Sequence, residues 1–250
     1  MSTETVARRW VERWDRQQET YMADREERFA VIADVVQETA GRPDPLVVDL
    51  GCGPGSLAAR LLDRLPAATV IGIDGDPLLL GLAREVYGDR LRLVDRDLRT
   101  DDWRDALGLD RPADAVVSTT ALHWLTRDEL GATYAEAAGL LRPGGVLVNG
   151  DHLFNGPESP TLRRVMHAVR DRRAERVGAG GEDWTQWWEA IADEPGLADL
   201  LAERAARKYE HTADPGVTID DHRALLRSAG FAEVGTVWQS GDDRVLVAVR

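Results

Sequence analysis

Residues 47–57, Val-Val-Asp-Leu-Gly-Cys-Gly-Pro-Gly-Ser-Leu, constrain the fold more than any other stretch of the chain. An apolar run ends at an acid and a leucine, three alternating glycines follow, and a helix-forming segment begins. Glycines at a strand-to-helix turn admit backbone conformations closed to other residues, so a ligand can lie against bare peptide at the carboxyl edge of a parallel sheet. The pattern predicts a doubly wound α/β fold with a nucleotide-like ligand. A dinucleotide fingerprint, G-x-G-x-x-G, needs its third glycine at position 56, where this chain has Ser56. Asp49, at the tip of the strand, would repel a pyrophosphate and attract an amino group. Both features speak against a nicotinamide cofactor.

Four more apolar segments follow in order. Ile71-Gly72-Ile73-Asp74 ends in an acid 21 residues after Gly53, and Leu91 to Val94 leads into Asp95, Asp97 and Leu98. Ala115 to Ser118 and Val146 to Gly150 read as two further strands, the second entered through Leu141-Arg142-Pro143-Gly144-Gly145. Leu225 to Phe231 reads as a helix end with a glycine stop, ahead of apolar strands at Val234–Gln239 and Val245–Val249. In this set and order the chain resembles the class I S-adenosylmethionine-dependent methyltransferases, over roughly residues 44–151 and 220–250.

The resemblance implies a seven-stranded sheet in the order 3-2-1-4-5-7-6 with strand 7 antiparallel, and a methyl group transferred from S-adenosylmethionine by direct displacement. It also implies a cofactor site. Asp49 would meet the methionine amino group, and Gly51, Cys52, Gly53 and Gly55 the methionine and ribose backbone. Asp74 with Gly75 would hold the ribose, and Asp97 with Leu98 the adenine. Asp95 points to the same side as Asp97, so either acid could approach the adenine amino group. Thr119 and Thr120 would border the sulfonium, and Tyr21 and Arg25 would close over the cofactor from the N-terminal segment.

A net charge of -13 disfavours a nucleic-acid substrate, because proteins that bind a phosphate backbone carry a basic face. The single cysteine, Cys52, leaves no disulfide framework and no cysteine zinc site within one chain, and points to a reducing cytoplasm. His167, His211 and His222 show no spacing suited to a metal. One lysine, Lys208, against thirty arginines disfavours Schiff-base chemistry. Neither a signal peptide nor a membrane span is expected, since no apolar run approaches about 18 residues. The expected partner is a small-molecule methyl acceptor for a monomer or homodimer.

A chain of 250 residues suits a single domain. Residues 1–43 form an N-terminal helical segment with Trp10, Val11 and Trp14, then Phe29, Ile32, Ala33 and Val36 at helical spacing. Asp76-Pro77 reads as an N-cap with a first-turn proline, a role that keeps Asp76 out of the expected site. Thr126 with Glu129 reads as a capping box. Residues 152–217 form a helical insertion that leaves the carboxyl end of strand five and so covers the ligand edge as a lid. One of its helices carries the stripe Leu162, Val165, Met166 and Val169. The next aligns Trp184, Trp187 and Trp188 on one face, read either as core packing or, with Trp124, as an aromatic wall for a substrate.

Six arginines, Arg163, Arg164, Arg170, Arg172, Arg173 and Arg176, form either a solvated helix face or a grip on an anion. His152, directly after strand five, and His123, after strand four, would overhang the same cleft. Each is read as structural or as a base for an acceptor that must lose a proton, with His152 ahead of His123. Two alternatives stand beside methyl transfer: a protein that binds S-adenosylmethionine without transferring methyl, and a nicotinamide oxidoreductase.

Overall fold

The strands of the sheet interior are mostly apolar because both of their faces are covered, as parallel sheets require. In the computed structural model, which describes residues 2–178, 181–207 and 216–250, two helices lead into the sheet: α1 (Thr3–Glu19) and α2 (Arg25–Ala40). Gly41 ends α2 in the left-handed region at φ 65°. There follow β1 (Leu46–Leu50), α3 (Ser56–Arg64), β2 (Thr69–Asp74), α4 (Pro77–Tyr87) and β3 (Arg92–Asp95). The short α5 (Trp103–Ala106), β4 (Ala113–Thr119), α6 (Arg127–Leu140) and β5 (Leu141–His152) complete the parallel part. The insertion supplies α7 (Pro160–Val177), α8 (Trp184–Ala192) and α9 (Ala198–Arg207), and α10 (Ile219–Ser228), β6 (Glu233–Ser240) and β7 (Asp243–Val249) close the fold.

The sheet order is β3-β2-β1-β4-β5-β7-β6, as expected, with β7 antiparallel to both neighbours. Register aligns Asp49 with Gly72 and Thr119 with Gly150, so the carboxyl ends of β1, β2, β4 and β5 meet along one edge. The expected caps form: Asp76 accepts from the backbone N–H groups of Leu78 and Leu79, and Thr126 and Glu129 make a reciprocal box. Strand β5 begins at Leu141 rather than Val146, because Leu141 already pairs with Ala113 ahead of a bulge.

Alternation along β1 divides the core. Leu46, Val48 and Leu50 face α6 and α10, whereas Val47 faces α2 and α3. A third apolar cluster lies outside the sheet, where α1 and α4 meet α8 and α9 through Trp10, Trp14, Leu78, Leu82, Trp187 and Ile191. The helical insertion therefore has a core of its own with the N-terminal helix.

That cluster corrects the reading of the tryptophan face. Trp187 is fully buried, edge-on to Trp10 at 5.7 Å and to Trp14 at 5.0 Å, and its indole N–H donates to the Trp10 carbonyl. Trp188 packs against Trp14, Trp184 and Trp187, with the Arg204 guanidinium 4.0 Å from its ring centre. Both serve packing and neither forms a substrate wall, since α8 rests against α1 with this face inward. The stripe on α7 has the opposite fate. Leu162, Val165 and Val169 remain 43–46% exposed, because α7 is held by ion pairs from Arg170 to Asp242 and Arg173 to Asp24. We expect Trp187→Ala to lower stability by about 3–5 kcal/mol in chemical denaturation. A loss under about 1 kcal/mol would show that α8 does not depend on α1 for its place.

Candidate active site

The glycine loop hangs from the end of β2. The backbone N–H groups of Gly51 and Cys52 both donate to the Ile73 carbonyl, at 2.8 and 3.1 Å. Gly53 N–H donates to one oxygen of Asp74 and Asp76 N–H to the other, each at 2.8 Å. Gly51, Gly53 and Gly55 all take positive φ, which a side chain would strain. A Cβ on Gly51 would also collide with Ala121.

Under this loop and the carboxyl edge lies a cavity of about 570 Å³. Among its lining residues are Gly51, Cys52, Gly53, Asp74, Gly75, Asp97, Leu98 and Thr119 from the expected cofactor set. Tyr21 and Arg25 reach it from the N-terminal segment, and His123, Trp124, His152 and Trp184 line it as well. Asp97 is held by a two-nitrogen pair from Arg99, and Asp95 is drawn away to Arg207, so Asp97 is the acid at this wall. Thr119 buries its hydroxyl there without a hydrogen bond, and the neighbouring Thr120 sits at φ 48°. That conformation is uncommon for a threonine, and such departures concentrate at functional sites. Arg25 is buried, paired with Asp15 at 2.9 Å, and its Nη1 makes no hydrogen bond.

Two expected cofactor residues lie outside the cavity lining. Strand alternation turns Asp49 toward the α3 side of the sheet, where it is fully buried and neither carboxylate oxygen makes a hydrogen bond. Burial, and then the nearby Asp74 carboxylate, push its pKa up to about 8. The expectation that Asp49 stands at the cavity wall is thereby corrected. Gly55 is the second correction: it caps α3 at φ 86°, and a Cβ there would lie 2.9 Å from Tyr87 Cε2. Close packing demands this glycine.

Each histidine is backed by a buried acid. His123 Nδ1 lies 2.9 and 3.0 Å from the two oxygens of Asp151, a fully buried residue at the end of β5. Burial pushes the Asp151 carboxyl up, but His123, His152 and Arg28 outweigh this and hold it down at about 2. His152 Nδ1 lies 3.1 Å from Asp242, which is shared with His167 at 2.9 Å and with Arg170. Of the six arginines in α7, Arg170 alone lines the cavity, and it is engaged by Asp242 and Asp171. His211 and Lys208 lie outside the described residues. Behind Asp151, Tyr134 and His222 are buried with Oη and Nδ1 2.6 Å apart, and burial holds His222 down at about 4. No group of three or more metal-binding side chains occurs among the described residues.

Sequence reasoning missed Asp151, Trp14, Gln18 and Met22. Asp151 had a signal, an acid at a strand end with no helix to cap. Trp14, Gln18 and Met22 line the cavity only because α1 and the turn after it fold over the sheet edge, which no local pattern announces.

A family described as a methyltransferase domain matches residues 47–145. Trans-aconitate 2-methyltransferase of Azoarcus sp. (strain BH72) is 34% identical over 216 residues, 85% of this chain and 77% of that protein. The chain belongs to the class I S-adenosylmethionine-dependent methyltransferases. An O-methyltransferase family protein from Burkholderia thailandensis shares the fold at TM-score 0.58 and 22% identity, across 88% of this chain. The present chain spans 55% of its length. S-adenosylmethionine-bound CalS10, an amino pentose methyltransferase from Micromonospora echinaspora, matches at TM-score 0.56 and 23% identity, across 90% of both chains.

The residues present fit the family's cofactor. Gly53 faces open space up to Leu79 at 3.9 Å, and the Thr119 hydroxyl and Arg25 Nη1, neither of them in a hydrogen bond, belong to cavity-lining residues. The Asp74 carboxylate, 8% exposed, keeps acceptor capacity beyond its two backbone bonds. We expect Asp74→Ala to weaken S-adenosylhomocysteine binding at least tenfold by calorimetry, the loss of about 1.5–3 kcal/mol expected of charge-assisted hydrogen bonds. An unchanged affinity would remove Asp74 from the site.

The raised carboxyl of Asp49 also fixes a pH dependence. Its folded pKa near 8 exceeds the unfolded value of 3.8, so the folded state holds the extra proton and stability falls as pH rises through this window. Below about pH 6.5 the depressed His222 opposes the trend, since it favours folding as pH rises between its folded value near 4 and 6.5. The melting temperature of the ligand-free protein should therefore fall from about pH 6.5 to 8, and Asp49→Asn should flatten that fall. An equal fall in the variant would contradict this assignment.

Proposed function

We propose that this methyltransferase methylates a hydroxyl oxygen of a small, largely apolar acceptor, with His123 as the general base. The observation that carries the proposal is the His123–Asp151 pair at the rim of the cavity that the glycine loop also lines. Asp151 accepts from Nδ1–H, which leaves Nε2 as the basic nitrogen, and its buried charge stabilises the imidazolium formed on proton uptake. His123 replaces His152 as first choice, because the acid behind His152 is divided among three side chains, His152, His167 and Arg170.

Bound S-adenosylmethionine supplies an electrophilic methyl group on a sulfonium and leaves as S-adenosylhomocysteine. Asp74 and Gly75 would hold the ribose, Asp97 and Leu98 the adenine, and Arg25 the methionine carboxylate. Thr119 would border the sulfonium. On the acceptor side, Trp14, Met22, Trp124, Leu125 and Trp184 offer apolar walls that exclude water and orient a ring or chain. Tyr21 steadies this wall by accepting the Trp184 backbone N–H at 3.1 Å. His123 would take up the acceptor hydroxyl proton at Nε2.

His123→Ala should lower kcat by about 10²–10⁴. It should also remove the acid limb of the kcat/KM profile while S-adenosylhomocysteine affinity stays near wild type. Asp151→Asn should lower kcat in the same direction by weakening the support of the imidazolium. A carboxylate acceptor, which needs no base, would leave both variants within a few-fold of wild type and overturn the hydroxyl assignment.

A further inference from the structure

Asp76 is fully buried beside Asp74 and Gly75 at the cofactor edge of the cavity. Capping α4 uses one of its oxygens, Oδ1, which accepts from Leu78 at 3.0 Å and Leu79 at 3.4 Å. The other oxygen would be a buried charge without a partner but for a residue of the insertion: Arg204 Nε donates to Oδ2 at 2.7 Å. Arg204 lies on α9, more than 120 residues away in sequence, and does not line the cavity. Its guanidinium also covers Trp188 at 4.0 Å, within cation–π range. Trp188 in turn packs edge-on against Trp14 and Trp184, both of which line the cavity. One turn before Arg204 on α9, Leu200 fills a socket that exists because residue 81 is glycine, since a Cβ there would collide with it.

We propose that Arg204 is a positioning residue that ties the acceptor-side wall to the cofactor edge, so that filling the cofactor site orders the helical insertion. One polar and one apolar contact from the same helix meet α4, and the arginine passes the position of Asp76 on to the tryptophans behind the cavity wall. A ligand that settles the Asp74–Asp76 turn fixes the carboxylate, the guanidinium and the ring above it as one unit. The cofactor thereby prepares the acceptor wall before any acceptor arrives. The inference rests on the cofactor site and is independent of which residue acts as base.

Amide hydrogen exchange with S-adenosylhomocysteine as the probe tests this without knowledge of the acceptor. In the wild type, saturating ligand should slow exchange about tenfold both in residues 49–57 and in residues 184–207. Arg204→Gln should keep the slowing at 49–57 and lose it at 184–207. Asp76→Asn gives an independent arm, because asparagine retains the cap while removing the charge that Arg204 meets. It too should keep the loop response and lose the insertion response. The ligand-dependent difference separates coupling from simple loosening, which would raise exchange with and without ligand alike. Slowing at 184–207 that persists in both variants would overturn the proposal. So would a wild type whose loop responds while its insertion does not.

Discussion

The site depends on how the end of β2 holds the glycine loop. Two loop N–H groups converge on one carbonyl, that of Ile73, and a third reaches the Asp74 carboxylate. The strand that ends in Asp74 thus also shapes the loop across from it, and the acid has one oxygen on the loop and the other on the next turn. A loop of glycines has the most conformational freedom to lose on folding, so bonds that remove this freedom before a ligand arrives lower the cost of binding. The price is local: burial and then the Asp74 carboxylate push Asp49 up to about 8, and burial with the neighbouring Asp76 carboxylate pushes Asp74 up to about 6.

Around that anchor the molecule assembles three apolar clusters with different duties. Two cover the faces of the sheet and fix the edge where β1, β2, β4 and β5 end. The third joins the N-terminal helix, α4 and the insertion, which makes the roof of the cavity part of the packed structure. Buried ion pairs finish the arrangement on the acceptor side. Arg28 pairs with Asp243 at the start of β7, and at the end of β5 the buried Asp151 carboxylate holds the His123 ring, which no apolar residue could orient. Partnering of this kind makes buried charge tolerable and fixes geometry more than it adds stability.

Much of the sheet was legible in the sequence because each strand is a short apolar run closed by a turn signal, and because helix caps such as Asp76 and Thr126 act locally. Glycine positions in the loop were legible for the same reason, but their separate duties were not. Gly53 opens toward the cavity whereas Gly55 answers to Tyr87, a contact set by packing of α3 against α4. Asp49 was placed at the cavity for want of one fact, the face of β1 on which its side chain lies. Trp184, Trp187 and Trp188 share a helix face in sequence, yet only Trp184 reaches the cavity, because the rotation of α8 is decided by Trp10 and Trp14 on a distant helix. Asp151 needed the β4–β5 register, which brings the loop bearing His123 beside it.

The chemistry can be tested most directly by following the methyl group itself. The protein would be incubated with S-adenosylmethionine carrying an isotopically labelled methyl, against a panel of small apolar phenols, alcohols, amines and carboxylic acids, and the products read by mass spectrometry. Methyl transfer to a hydroxyl compound, as an ether and with one S-adenosylhomocysteine formed per methyl, is the predicted result. Label found only in esters or methylated amines would contradict the assignment of the acceptor.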